Sequence, residues 1–419
     1  MAHERDIVVI GAGIVGVSAA LHLQRRGRAV TLLDRREPGE ETSYGNTGVI
    51  EGGTYVPIAM PTNPFELVKY LPNNDTAMHF HWKAMPKLVP WLMRLRANST
   101  EARLRKNGGA VMKLLEHAIG EHKALLAEAG AERFLRDTGW VRVYRTEDQF
   151  AASALERRIA DETGHGYTVH DTHSLREIEP HVKPVFAKAE HWHDLASLTD
   201  PGATVKAYSD LFRKNGGTFE RTMARQLRPD TAAGNSGWIV ETNSGPYQAK
   251  DVVVALGPWA MDLLSPLGYR LPFAVKRGYH MHFRPSGNAG LNRPVVDIGY
   301  GYAASSMAMG LRVTTGIEFA DRDAPPTPVQ LQRVEPHARE LLPIEETLEP
   351  TPWMGRRPSF PDSVPVIGPA PKHRGLWLDM GHAHLGLTLG PVSGRLLAEM
   401  ITGEEPVVNP APYSAARFG

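Results

Sequence analysis

Gly11, Gly13 and Gly16 stand in a G-x-G-x-x-G spacing, with Ile14 and Val15 inside it, directly after the short run Asp6–Ile10. That run is apolar and β-branched beyond its first residue, the pattern of a buried parallel strand. After the glycines, Val17–Arg26 carries an apolar face at helical spacing, and Gly27 is a stop signal. Ala29–Leu33 reads as a second buried strand ending at Asp34. Gly11 permits a tight turn, Gly13 lets backbone approach a pyrophosphate, and Gly16 lets helix and strand pack closely. The helix N-terminus offers free N–H groups and a positive dipole to phosphates. Asp34 sits where a carboxylate accepts from ribose hydroxyls. Arg35 and Arg36 follow it, but Asp34 would repel a 2′-phosphate, so an adenosine with a free ribose is favoured. A glycine-rich turn without a nucleotide is the bland alternative. The ordered strand, loop, helix, strand and acid argue against it.

Other stretches have weaker chemistry. "GEETSYGNTGVIEGG", 39–53, is a small-residue loop containing Ser43, Asn46, Thr47, Gly48 and Val49. It either lays backbone amides along a cofactor or is a plain surface loop. "AKDVVVALGPWA", 249–260, is a buried strand that breaks at Gly257-Pro258 ahead of Trp259, as a second approach to the nucleotide requires. His382 and His384 flank Ala383, but no third ligand is evident and no metal site is expected. A packing role and a proton-handling role both stay open for the pair.

The positioning elements follow. Residues 100–130 read as one or two helices, Trp140–Arg145 as a strand, and Phe150–Glu162 as a helix. Asp200, Pro201 and the Gly216-Gly217 pair delimit a helix over 200–217. Strands are expected at 218–227, 237–242 and 376–380, helices at Gln330–Leu342 and about 391–402, and an irregular stretch at 55–75. Residues 270–320 alternate in the manner of a largely antiparallel sheet. Residues 82–96, "WKAMPKLVPWLMRLR", leave two readings open: a basic, apolar surface for an anionic membrane, or a core helix interrupted by Pro86 and Pro90.

The chain has 419 residues, 42% hydrophobic and 22% charged, which suits two or three soluble domains. A net charge of +1 gives no argument for a nucleic-acid partner. There is no cysteine, so disulfides, thiolate nucleophiles, Cys-ligated metals and thioether-linked cofactors are excluded. No secretory leader is expected, because the first apolar run leads into the glycine loop. No apolar run of about eighteen residues occurs, so no transmembrane helix is expected.

Taken together, the opening loop with Asp34, "SYGNTG" at 43–48, "ALGPWA" at 255–260, "RGYH" at 277–280, "MGRRPSFPDSVPVIG" at 354–368 and "GHAHLGLTLGP" at 381–391 resemble one family over the full length. It is the FAD-dependent D-amino-acid oxidase and dehydrogenase superfamily, nearest to the D-amino-acid dehydrogenase small subunit and glyphosate oxidoreductase-like proteins. The resemblance implies non-covalent FAD. It implies an α/β fold in which a Rossmann-type FAD-binding domain (1–60, 196–270, 350–419) is interleaved with an antiparallel-sheet substrate domain (61–195, 271–349). It implies that the last helix points its N-terminus at the flavin pyrimidine ring, where a helix dipole stabilises reduced flavin, with Gly386, Leu387 and Thr388 as the candidate contacts. His382 and His384 would lie near the flavin edge. Arg357, before the Pro of "GRRP", would clamp a substrate carboxylate, a task suited to a planar bidentate fork. Arg356 departs from the family, where an apolar residue is usual; it either adds a cation or points outward. Of Tyr279 and His280, alternation lets only one face the flavin. The implied reaction is oxidation of an amine α to a carboxylate, of a D-amino acid or cyclic imino acid, with hydride passing to flavin N5 and no protein base required. Alternatives are oxidation of a secondary amine such as glyphosate or sarcosine, and a flavin-containing subunit without turnover. The electron acceptor is oxygen or a quinone. The expected setting is cytoplasmic, with the inner face of the cell membrane as a peripheral option and oligomerisation open.

Overall fold

The computed structural model describes residues 3–61, 63, 65, 68–231 and 237–419. The strand His3–Ile10 is the centre of an eight-stranded sheet. It pairs in parallel with Val30–Asp34 on one side and Gly245–Val254 on the other. Thr218–Arg221 and Leu376–Met380 extend the parallel set at either side. Alternate residues enter opposite cores: Ile7 and Val9 pack under the helices, Val8 and Ile10 into the other face. This two-sided burial explains the continuous apolar run.

The helix Ile14–Arg25 begins at the glycine loop, three residues earlier than its apolar face suggests. It packs in parallel on the C-terminal helix Gly386–Thr402. A Cβ on Gly390 would stand 2.8 Å from Ile14 Cγ1, and one on Gly394 would stand 2.6 Å from the Ala19 amide nitrogen. These two glycines, one turn apart, therefore set the close approach of the helices. The C-terminal helix starts at Gly386, not near 391, and carries Pro391 inside it.

The second sheet has eleven strands and is mostly antiparallel, as the alternation over 270–320 predicts. Its long strand Ala274–Pro285 pairs with Gly310–Thr314 and Ile317–Phe319 on one side and with Trp353–Ser359 on the other. A three-stranded sheet (Val49–Glu51, Leu135–Arg136, Leu195–Leu198) completes the mixed α/β fold.

Residues 101–128 form one helix. The helix expected over 150–162 is two, Glu147–Ala152 and Ala154–Thr163, joined at Ser153. Asp200 caps Pro201–Lys214 by accepting from the Ala203 amide at 2.9 Å. The stretch 218–227 divides into Thr218–Arg221 and Ala224–Asp230. Of the stretch 55–75, positions 62, 64, 66 and 67 lie outside the described residues. Helix Met85–Ala97 tolerates Pro86 in its first turn and Pro90 within. It buries Trp91, Leu92 and Leu95 against Ala274 and Phe319, yet leaves Val89 and Met93 exposed, as is Trp82 in the short turn Trp82–Ala84 just before it. Among the described residues no helix is long and apolar enough to cross a membrane.

Candidate active site

A cavity of about 740 Å³ runs from the glycine loop, past the loop at 41–47, to the strand pair Ala274–Pro285 and Trp353–Ser359. Both helix N-termini open on it: Gly13, Ile14 and Val15 at one place, Gly386, Leu387 and Thr388 at another. Neither helix has a side-chain cap on its N-cap residue. The positive ends of both helix dipoles therefore face the cavity, although at the first helix the Ile14 amide is already taken by Ser43 Oγ.

The glycines divide by purpose. Gly11 has φ +114°, and a Cβ there would stand 2.4 Å from the Ala255 carbonyl oxygen. A Cβ on Gly16 would stand 1.8 Å from the Gly11 carbonyl oxygen. Both are fixed by the protein's own packing. A Cβ on Gly13 would meet only Ser43 Oγ, at 3.4 Å, so the space Gly13 keeps open is the cavity's. Beside it the Ile14 amide donates to Ser43 Oγ at 3.1 Å. This is the cradle a pyrophosphate requires. Asp34 Oδ2 accepts from the Ala12 amide at 2.7 Å and Oδ1 from the Arg36 amide at 3.0 Å. Burial raises its pKa, opposed by those two amides. Arg35 lies over the Trp259 ring, 4.1 Å from its centroid, and Gly257 lines the same wall.

The loop at 43–49 is not a plain surface turn. Asn46 Oδ1 accepts from the Gly48 amide at 2.8 Å, and Asn46 Nδ2 donates to the His384 carbonyl at 3.3 Å. Thr47 Oγ1 and Thr314 Oγ1 are 3.2 Å apart. Thr388 Oγ1 donates to the Val49 carbonyl at 3.2 Å, tying the loop to the C-terminal helix.

On the strand pair, register places Lys276 opposite Arg357, Gly278 opposite Gly355, and His280 opposite Trp353. Directly opposite residues share a face. The glycine pair keeps that face low in the middle. Arg357 crosses above Gly278, where a Cβ would stand 2.5 Å from Nη1, and donates to the carbonyls of Gly316 (2.7 Å) and Thr315 (3.1 Å). Its open side lines the cavity, and burial lowers its pKa to about 10. No carboxylate among the described residues pairs with it.

Tyr279 and His280 are employed elsewhere. The Tyr279 hydroxyl donates to Glu318 Oε2 at 2.8 Å and accepts from the Thr327 amide, in a buried cluster with Arg277. The His280 ring stacks on Trp353 at 4.9 Å, and its Nδ1 is 3.3 Å from the Gly45 carbonyl. Burial holds its pKa down to about 2. Both side chains are thus anchored by the protein's own groups; Tyr279 also lines the cavity, His280 does not, and Lys276 lines it from the same strand. Arg356 lies on the opposite face, donating to the Arg322 carbonyl with its guanidinium 5.6 Å from the Trp259 ring centroid.

His382 is buried, with Nε2 3.3 Å from Asp379 Oδ1. His384 faces the cavity, and its Nδ1 has no hydrogen-bond partner among the described residues. Burial, helped by Lys276 and Arg357, lowers its pKa to about 3, so it is neutral at pH 7. Its Nε2 is 4.0 Å from Glu51 Oε1. Burial pushes the Glu51 carboxyl up to about 7. Sequence reading missed Glu51 and Lys276, because a single Glu or Lys in a strand carries no motif.

A parallel strand, glycine turn and helix at one end of a cavity, with a second helix N-terminus opening on it, define a dinucleotide-binding protein. The family model described as FAD dependent oxidoreductase (DAO) matches residues 6–400, and the chain belongs to that family. Its cofactor is FAD, and it is an oxidoreductase. The chain is 30% identical over 426 residues, all of both chains, to a D-amino-acid oxidase of Bradyrhizobium diazoefficiens. It is 30% identical to a D-amino acid dehydrogenase of Methylobacterium nodulans, over 98% of this chain and 99% of the relative. Its fold is similar to that of glycine oxidase from Geobacillus kaustophilus, with a TM-score of 0.75, 21% identity and 99% of each chain covered.

Proposed function

We propose that this protein oxidises the amine α to a carboxylate, in a D-amino acid or a cyclic imino acid, to an imine that water then hydrolyses. The observation that carries this reading is Arg357: a guanidinium facing the cavity, aligned by two backbone carbonyls, with no carboxylate of its own among the described residues. A substrate carboxylate supplies the missing anion. Bound FAD would supply the acceptor for the Cα hydrogen and its electron pair, which leave as a hydride while the nitrogen lone pair turns the Cα–N bond into C=N. The chain's residues bind and orient. Gly11, Gly13, Ile14, Val15 and Gly16 hold the diphosphate, and Asp34 and Arg35 the adenosine end. Ser43, Asn46, Thr47, Gly48, Val49, Gly257, Trp259 and His382 line or brace the cofactor channel. The amides of Gly386, Leu387 and Thr388 meet the flavin ring. His384, neutral at pH 7, accepts a hydrogen bond from the amine. Glu51, its carboxyl pushed up to about 7 by burial, is placed to hold the proton an ammonium substrate must lose.

The strand membership supports a division into an FAD-binding domain (1–60, 196–270, 350–419) and a substrate domain (61–195, 271–349), with Trp353–Ser359 pairing into the substrate sheet. The exposed Trp82, Val89 and Met93 beside Lys83 and Arg94 support a peripheral contact with anionic lipid, a location from which a quinone would be within reach.

A screen of D- and L-amino acids, proline and sarcosine with the yellow protein under anaerobic conditions tests the reading. Bleaching of the flavin by carboxylated amines is expected; bleaching only by amines without a carboxylate would overturn it. Oxygen uptake against reduction of a quinone analogue then assigns the acceptor.

A further inference from the structure

Lys276 and Arg357 are direct cross-strand partners on adjacent antiparallel strands. Two like charges in that position oppose folding unless something lies between or beyond them. Lys276 is only 4% exposed, and no hydrogen bond or carboxylate partner holds its ammonium among the described residues. Burying a cation without a counterion is costly, so such groups are rare in a pure packing role. Among the described residues the Trp91 ring, 5.7 Å from Nζ, is a stabilising contact, and it is a weak one. Lys276 also lines the cavity.

The two head groups leave the ladder in different directions. Arg357 reaches over Gly278 to the carbonyls of Thr315 and Gly316. Lys276 points toward the helix Met85–Ala97, which carries Trp91. One carboxylate clamped by the Arg357 fork leaves the Lys276 ammonium unmatched. A second anionic group on the same molecule matches it.

We propose that the cavity is built for an amine carrying two anionic groups, the first held by Arg357 and the second by Lys276. This rests on the carboxylate-anchoring role given to Arg357 above. Two arrangements share that chemistry: an acidic amino acid, with the second carboxylate on the side chain, and an iminodicarboxylate, with the second carboxylate on the nitrogen substituent.

The test is anaerobic flavin reduction and steady-state kcat/KM for D-aspartate, D-glutamate and iminodiacetate against D-alanine and sarcosine, in the parent and in Lys276→Met, which keeps the unbranched stem and removes the charge. The parent is expected to favour at least one doubly anionic substrate tenfold or more over its singly anionic counterpart. Which one it favours separates the acidic amino acids from the iminodicarboxylates. In Lys276→Met that ratio is expected to collapse at least tenfold. Lys276→Arg is expected to retain part of it. Equal proportional losses for both substrate sets, leaving the ratio unchanged, would mean that both cations serve one carboxylate and would overturn the proposal. Preference of the parent for singly anionic substrates would overturn it as well while leaving the amine-oxidation reading intact. Failure of every carboxylated amine to reduce the flavin would remove that underlying reading instead.

Discussion

His122 Nε2 donates to the carbonyl oxygen of Leu387 at 2.8 Å. That carbonyl is the one left without a helical donor by Pro391, four residues on, which has no N–H. The carbonyl can only accept, so the proton sits on Nε2, and Nδ1 is free to accept from the Tyr208 hydroxyl at 3.1 Å. Burial lowers the His122 pKa to about 4, keeping the ring in this neutral form at pH 7. A side chain on the helix Glu101–Glu128 thus completes the first turns of the helix whose N-terminus lines the cavity. His122→Phe leaves the Leu387 carbonyl buried without a donor and is expected to cost about 1–3 kcal/mol. Denaturant unfolding measures that loss, and FAD titration is expected to show weaker binding. His122→Gln restores a donor and is expected to recover part of both. Unchanged FAD affinity in a destabilised His122→Phe would show that the bond serves stability alone.

Gly13 and Gly16 are expected to fail in different ways. Gly16→Val drives a side chain into the Gly11 carbonyl and is expected to give little folded protein. Gly13→Val meets only the edge of Ser43 and is expected to fold, with a near-parental circular dichroism spectrum but no yellow colour. A Gly13→Val variant with full flavin content would show that the diphosphate lies elsewhere.

The opening unit was legible because its local requirements coincide. Buried parallel strands, a turn that only glycine permits and a helix start all fall within residues 5–34, and the fold keeps them together. The Asp200 cap was legible for the same reason. The helix starting at Gly386 was placed late because Pro391 reads as a first-turn residue, and nothing near it in sequence announces that His122 satisfies the carbonyl it orphans. In the strand Ala274–Pro285, alternation showed that neighbours face apart but not how deep each lies. Lys276, Gly278 and His280 share one face, yet only register with Trp353–Ser359 tells that His280 is covered by Trp353 while Lys276 lies open to the cavity. Glu51 depends on three sheet strands and a distant helix, contacts of high sequence separation.

The helix Met85–Ala97 divides the two readings its composition allowed. Trp91, Leu92 and Leu95 are core; Trp82, Val89 and Met93 are outside. Co-sedimentation with phosphatidylglycerol-containing vesicles at low salt is expected, weakening as salt screens the basic residues. Replacing Trp82, Val89 and Met93 together by Ser is expected to abolish it without lowering the melting temperature. Absence of binding by the parent at low salt would leave this face without a membrane role.

Lys276 makes a prediction about stability as well as specificity. Burial, with Arg357 opposite, lowers its pKa from 10.5 to about 7. The charged groups within electrostatic reach are Arg357 across the ladder and, when protonated, His384 from the C-terminal turn. Below about pH 7 the ammonium is charged in both states and its burial cost is fully present. Between pH 7 and 10.5 the unfolded chain holds a proton that the folded chain does not, so stability rises with pH, by at most about 1.4 kcal/mol per unit. The melting temperature of the substrate-free parent is expected to climb from pH 7 to pH 9. Lys276→Met is expected to start higher at pH 7 and to stay level. Parallel slopes for the two proteins would show that Lys276 is charged and matched in the folded state.

Arg357 carries the functional assignment, and its variants separate anchoring from folding. Arg357→Ala removes a charge-assisted bidentate partner from a desolvated site. Truncating one member of such a pair costs on the order of 2–5 kcal/mol, or roughly thirty-fold to several-thousand-fold in kcat/KM. Arg357→Lys is expected to recover only part, because an ammonium cannot reproduce the fork. It also loses one of the two donors that reach the carbonyls of Thr315 and Gly316. Flavin content is expected to stay normal in both, since the glycine loop lies at the other end of the cavity. The measurement that decides is kcat/KM of parent and Arg357→Ala for an amino acid and its decarboxylated amine. The parent is expected to use the amine poorly, and the substitution to change that value little, because an amine without a carboxylate never engaged the guanidinium. Equal losses for both compounds would mean that Arg357 acts by holding the strands Ala274–Pro285 and Trp353–Ser359 in shape, and the carboxylate anchor would have to be sought elsewhere in the cavity.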